Sequence, residues 1–148
     1  MSQKQKEILF GTLLGDASLQ TYTNGRTWRA RFIQGDVHKE YLFHLYGIFE
    51  DLVGTAPKDI TDKQGSQRWY FNTRVVDGLY EFGEMFYLKK RKIVPGYNHL
   101  EEYLTPRALA YWYQDDGSLK SNAKAHYLCT DNFTLNELKC LSEFFSRK

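Results

Sequence analysis

Two aspartates, Asp16 and Asp116, sit in nearly the same sequence setting: Asp16-Ala17-Ser18-Leu19-Gln20 returns as Asp116-Gly117-Ser118-Leu119-Lys120. Each follows an apolar stretch with helical spacing, "ILFGTLLG" before the first and "LAYWYQD" before the second. A helix C-terminus carries about half a negative charge on its unpaired carbonyls, so acids there are disfavoured by a few tenths of a kcal/mol. Asp115 adds a further negative charge to the second end. A hard divalent cation resolves the conflict: Mg²⁺ accepts one or two carboxylates, keeps several waters and works beside substrate phosphates. If the two copies are related by a pseudo-two-fold axis, Asp16 and Asp116 face one site. The plain alternative is a pair of solvated polar turns.

The elements that must hold these residues follow from periodicity. Ile8, Leu9, Leu13 and Leu14 give a first helix from about Lys4 to Gly15. Gly11 and Gly15, four apart on it, would let a second helix approach closely, as small residues do at any tight helix crossing. Strands are expected around 17–23 and 27–34, with Asn24-Gly25 as the hairpin turn. Asp36 is the expected N-cap of a helix through Leu52, stopped by Gly54. A second hairpin spans about 57–73 with Lys63-Gln64-Gly65-Ser66 at its tip, then a short helix covers about 75–86. "LKKRKIVPGYNHLEEY" reads as a connector, and Thr105-Pro106 starts a helix to about Asp115. A hairpin at about 117–130 and a helix from about Phe133, capped by Asp131, repeat the opening pattern. The repeat stops at Lys148 before its last hairpin and helix, so a truncated or unusually short second half is expected.

Strand alternation gives the hairpins two chemistries. Arg29 and Arg31 fall on one face, with Trp28, Ala30 and Phe32 on the other. Arg68, Tyr70 and Asn72 alternate with Trp69 and Phe71, and Gln20, Tyr22 and Gln34 are assigned to the polar face. Those side-chain types read base edges and hold phosphates, and Asp and Glu are scarce among them. Any half-exposed sheet has a polar face, so this feature alone favours DNA only weakly.

Composition sets the limits. The chain is 42% hydrophobic and 16% aromatic, enough for a core. Its formal charge is only +2, so nucleic-acid binding must rest on where the charge lies, as in Lys89-Lys90-Arg91-Lys92. Cys129 and Cys140 offer neither metal-ligand spacing nor a disulfide framework, which fits a reducing compartment. His38, His44, His99 and His126 have no partners at ligand spacing, and Ser18 and Ser118 lack a triad context. No apolar run is long enough to span a bilayer, and Gly15-Asp16 interrupts the opening apolar stretch, unlike a signal peptide.

"LFGTLLGDA" (9–17) and "LAYWYQDDG" (109–117), in this order and with "LTP" before the second, resemble the paired motifs of LAGLIDADG homing endonucleases of the single-chain type. The resemblance covers nearly the whole chain. It implies an α+β fold of two pseudo-symmetric αββαββα halves, the second incomplete here: a first half at 1–88, a linker at 89–104 and a second half at 105–148. It implies a sequence-specific endonuclease that cuts double-stranded DNA at a long asymmetric site, leaving a staggered break, with Mg²⁺ as cofactor and Ca²⁺ or Mn²⁺ as substitutes. Asp16 and Asp116 match the metal-binding acids, Gly15 and Asp115 the positions whose carbonyls help to hold metal, and Lys92 in "KIVP" a lysine beside the catalytic water. Gln20, Tyr22, Arg29, Arg31, Gln34, Arg68, Tyr70, Asn72 and Lys120 would bind DNA. The second half's counterpart of Lys92 would lie beyond Lys148. The same fold also serves group I intron maturases, which bind intron RNA, and DNA-binding proteins without cleavage. The expected setting is an organelle (chloroplast or mitochondrion), with bacterial cytoplasm as the alternative, and the full-length form is expected to act as a monomer away from membranes.

Overall fold

Ser2 begins the first helix with a reciprocal cap: its hydroxyl accepts from the Gln5 amide at 3.1 Å, and the Gln5 side chain accepts from the Ser2 amide at 2.9 Å. Helix α1 then runs Gln3–Leu14. After it come strands β1 (Ser18–Gln20) and β2 (Arg29–Gly35), helix α2 (Lys39–Phe49), strands β3 (Lys58–Thr61) and β4 (Gln67–Asn72), and helix α3 (Leu79–Phe86). A ribbon of β5 (Tyr87–Leu88) and β6 (Arg91–Lys92), helix α4 (Tyr97–Tyr103) and helix α5 (Pro106–Asp116) follow, and then the strand pair β7 (Gly117–Leu119) and β8 (His126–Leu128). The computed structural model describes residues 1–119 and 126–128, with 116–119 and 126–128 as backbone alone. Lys120, the Asp131 cap and the final helix therefore lie outside the described residues. The order α-β-β-α-β-β-α, then α-β-β again, is the expected architecture. No helix among the described residues is long and apolar enough to cross a membrane.

The chain divides into two compact units, one of Asp16–Tyr80 and one of Met1–Gly15 with Glu81–Lys148. In the first, β1–β4 form an antiparallel sheet in the order β1-β2-β4-β3, and α2 packs against β2 and β4. Phe32 lies at the centre of its core, 1% exposed, with ring centroids 5.0 Å from Phe49 and 4.7 Å from Phe71. In the other unit α1 packs along α5. Phe10 contacts Phe86 and Tyr103, with ring centroids at 5.2 and 5.5 Å, and Trp112 is fully buried. The Tyr103 hydroxyl donates to Glu81 at 2.7 Å; burial first, then the Glu81 carboxylate, push that phenol well above its ordinary range.

Five local expectations need correcting. The first hairpin is not closed by a two-residue turn, although Asn24 (φ 58°) and Gly25 (φ 89°) are left-handed as expected. Threonine hydroxyls take the amides instead, Thr21 Oγ1 that of Gly25 and Thr23 Oγ1 that of Thr27, so residues 21–28 form a loop. Asp36 is not the helix cap: residues 36–38 make a 3₁₀ turn, and its carboxylate accepts from the Trp69 indole at 2.8 Å. Nor does Gly54 stop α2. A 3₁₀ turn at Glu50–Leu52 leads to an extended Val53 that bridges to Thr73, so the helix ends by joining the sheet. Next, α3 starts at Leu79, because Thr73 and Arg74 still donate to the Ala30 and Leu52 carbonyls and Val76 to that of Trp28. Finally, the stretch 88–103, expected as a connector, carries α4 and all of the β5–β6 ribbon except Tyr87.

Replacing Phe32 by alanine removes a ring packed on both sides and is expected to lower unfolding stability by about 3–5 kcal/mol. A urea titration followed by tryptophan fluorescence measures the loss. A midpoint unchanged from the parent chain would show that the aromatic stack is not the centre of that core.

Candidate active site and nucleic-acid interface

The closest approach in the α1–α5 unit is between backbones. A Cβ placed on Gly11 would overlap the carbonyl oxygen of Ala108, and one on Gly15 would lie 2.5 Å from Asp115 Cβ and 2.7 Å from its Oδ2. Glycine in a helix costs about 1 kcal/mol relative to alanine; here it is what lets the helices touch, as the spacing of the two glycines predicts. Glu7 fixes how far one helix slides along the other. It accepts from Thr105 Oγ1 at 2.6 Å and pairs with Arg107 at 3.5 Å. Thr105 also accepts from the Ala108 amide at 3.2 Å, so the expected N-cap is present. The result is that Gly15 and Asp115, each one residue before a motif aspartate, lie side by side.

Lys92 answers the charge problem at the end of α1. Its ammonium donates to the Gly15 carbonyl at 3.2 Å, placing a cation where the helix leaves its partial negative charge. The turn that aims it is unusual, since Lys89 (φ 51°) and Lys90 (φ 68°) are both left-handed between β5 and β6. Two positive φ values suit the twist of a tight hairpin, but lysine is a poor residue for them. Of Asp116 the structure gives the backbone, as the last residue of α5.

In the sheet unit, Asp16 is exposed and accepts from Gln34 Nε2 at 3.0 Å, while Gln34 itself is 9% exposed. The assignment of Gln34 to the polar face is thereby corrected. Along β2, Ala30, Phe32 and Gln34 alternate inward, so strand parity puts Gln34 with the core residues. The alternation that turns Ala30 and Phe32 inward extends to Gln34, so its side follows from strand period; its bond to Asp16, distant in sequence, does not. A cleft of about 380 Å³ beside this pair is lined by Asp16, Ile33, Gln34, Gly35 and Arg68.

The remaining polar positions gather as expected. Cross-strand partners Gln20↔Arg29, Arg31↔Asn72 and Gly35↔Arg68 put Gln20, Arg29, Arg31, Arg68, Tyr70 and Asn72 on one face. Arg29 donates to Gln20 at 2.8 Å and to Tyr22 at 3.0 Å, and Arg31 lies over the Tyr70 ring at 4.6 Å. Asn72 Oδ1 is buried there without a hydrogen-bond partner among the described residues, which is costly for an amide oxygen.

Among the described residues no group of three or more His, Cys, Asp or Glu side chains could hold a metal ion. Asp115 and the Gly15 carbonyl in the helical unit, and Asp16 in the sheet unit, each offer hard oxygens of the kind that Mg²⁺ takes.

Residues 6–148 match the sequence profile of the LAGLIDADG DNA endonuclease family. The chain belongs to that family. It is 41% identical to DNA endonuclease I-ChuI of Chlamydomonas applanata over 90% of its own length and 67% of the relative's. It is 34% identical to the cytochrome b mRNA maturase bI2 of Debaryomyces hansenii, over 95% of this chain and 55% of that protein. The homing endonuclease I-WcaI, solved bound to its DNA recognition sequence, superposes with a TM-score of 0.86 at 26% identity, covering 99% of this chain and 68% of that one. This LAGLIDADG chain thus spans between about half and two thirds of these proteins.

Gly11→Ala is expected to push the LAGLIDADG helices apart, because the added methyl meets backbone that cannot rotate away. A loss of about 1–3 kcal/mol or more is expected in urea unfolding. An unchanged midpoint would mean that α1 and α5 are not in backbone contact.

Proposed function

We propose that this chain is the working part of a site-specific homing endonuclease that binds double-stranded DNA along the polar sheet face and hydrolyses a phosphodiester of each strand with divalent metal. The observation that carries the proposal is the sheet register, which collects Gln20, Arg29, Arg31, Arg68, Tyr70 and Asn72 on one surface. Guanidinium and amide groups in that pattern hold phosphates and read base edges. The parallel with I-WcaI, which is bound to its recognition sequence, supports it.

Asp16 and Asp116, with the carbonyls of Gly15 and Asp115, would hold Mg²⁺, for which Ca²⁺ or Mn²⁺ can substitute. When bound, such ions polarise the scissile phosphate and make water a better nucleophile. The protein's own share is positional. Gln34 fixes the Asp16 carboxylate, and Lys92 brings positive charge to the Gly15 peptide, where it also favours the charge that builds on phosphate oxygens. Arg68, in the cleft beside Asp16, offers a bidentate fork to phosphate. We place the first LAGLIDADG half at 1–88, the linker at 89–104 and the second half at 105–148, and an organellar intron as the gene's setting. The similarity to a cytochrome b mRNA maturase favours intron RNA as a second partner. RNA binding would need the basic surface but neither aspartate.

Asp16→Asn is expected to abolish Mg²⁺-dependent cleavage of the intronless host allele while leaving affinity in Ca²⁺ within about threefold. Arg31→Ala is expected to do the reverse in kind, weakening binding and flattening its salt dependence by about one counterion. Gel-shift and cleavage assays on the same duplex read both variants. Full cleavage by Asp16→Asn would sink the metal assignment, and retention of intron RNA binding with no cleavage by the parent chain would favour the maturase.

A further inference from the structure

Arginines on a sheet face can hold phosphate, which is blind to sequence, or read a base. The two outer arginines of β2 are held differently. Arg31 rests on the Tyr70 ring at 4.6 Å, and no hydrogen bond constrains it among the described residues. Arg29 is held on one whole edge: its Nε donates to Gln20 Oε1 at 2.8 Å and its Nη2 to the Tyr22 hydroxyl at 3.0 Å, with the guanidinium 5.2 Å from the Tyr22 ring centre.

A guanidinium has five N–H donors in a rigid plane. The two bonds take the Nε–H and one Nη2–H, which together form the side edge. What remains is the end edge, one Nη1–H and the other Nη2–H pointing the same way, plus the outer Nη1–H. A parallel pair of donors in a fixed plane is the complement of guanine O6 and N7 in the major groove, the commonest specific arginine contact. It is poorly matched to adenine, which offers an acceptor and a donor there, and to thymine, which offers one acceptor and a methyl group. Gln20 is the direct cross-strand partner of Arg29, so the holding residue is fixed by the ladder itself. Because the fork is restrained before DNA arrives, less rotamer entropy is lost on binding.

We propose that Arg29 reads one guanine of the target and that Gln20 and Tyr22 set the plane in which it does so. This rests on the DNA-binding reading of the sheet. Gln20 is a positioning residue, and its effect appears in base preference. Arg31 lacks such restraint and contributes to affinity instead.

The test selects randomised double-stranded oligonucleotides on this chain in Ca²⁺, then sequences the bound pool. The parent is expected to enrich guanine at one position. Arg29→Ala should erase that preference, by about tenfold or more, and leave the other positions alone. Arg29→Lys, which keeps the charge and loses the fork, should not restore it. Gln20→Leu should weaken the same preference, and Gln20→Glu, still an acceptor for Nε, should keep it even if overall affinity falls. Unfolding midpoints of all variants check that the sheet is intact. Should Arg29→Ala lower binding to every sequence alike and reduce the salt slope by about one, Arg29 is a phosphate contact and the proposal fails alone. If the parent enriches no duplex at all, the DNA reading falls and takes this proposal with it.

Discussion

Contact between the backbones of α1 and α5 is the constraint on which the motif depends. At Gly11 even a methyl group has no room against the Ala108 carbonyl, and at Gly15 the next helix's Asp115 takes the space. Side chains of any size would set the helices 8–10 Å apart in the usual way. Without them, the last peptides before Asp16 and Asp116 are carried by helices that touch. The Glu7 bonds to Thr105 and Arg107 then favour one axial position of this pair. Lys92 completes the arrangement by meeting the Gly15 carbonyl with a positive charge.

The sheet unit solves a different problem, which is to hold many polar side chains in one plane without losing its core. Alternation along β2 and β4 does this, and the stack of Phe32, Phe49 and Phe71 anchors the inner side. The outer side is then free to carry arginines spaced by the ladder, of which Arg29 is restrained by Gln20 and Tyr22. One of its polar atoms, Asn72 Oδ1, is buried with no hydrogen-bond partner among the described residues, a local cost to stability.

Much of this was legible in the sequence. The helical spacing of Ile8, Leu9, Leu13 and Leu14, the Gly11/Gly15 pair and the Thr105-Pro106 start each follow from one-dimensional patterns with strong local physics. So does the split of Arg29 and Arg31 from Ala30 and Phe32, because strand period is fixed. Two of the misses are cases where a distant partner decides the outcome. Asp36 looks like a cap until Trp69 claims its carboxylate, and Gly54 looks like a stop until Val53 joins Thr73. Gln34 departs from the polar face for a local reason: it has the same strand parity as Ala30 and Phe32 and turns inward, where it meets Asp16. The β5–β6 ribbon was invisible because its turn uses two left-handed lysines, where Asn-Gly would have announced it.

The two-sidedness of β2 has a consequence for how such a protein can change over generations. Its odd-numbered residues look outward and its even-numbered ones look in, ending on Gln34, whose side chain donates to Asp16. Point substitutions at Arg29 or Arg31 change the outward face and leave the inward set undisturbed, so the two faces can vary independently. An inserted or deleted residue within the strand has the opposite effect, since it exchanges the two sets beyond that point. Lineages of this strand are therefore free to vary in spelling but held to one length.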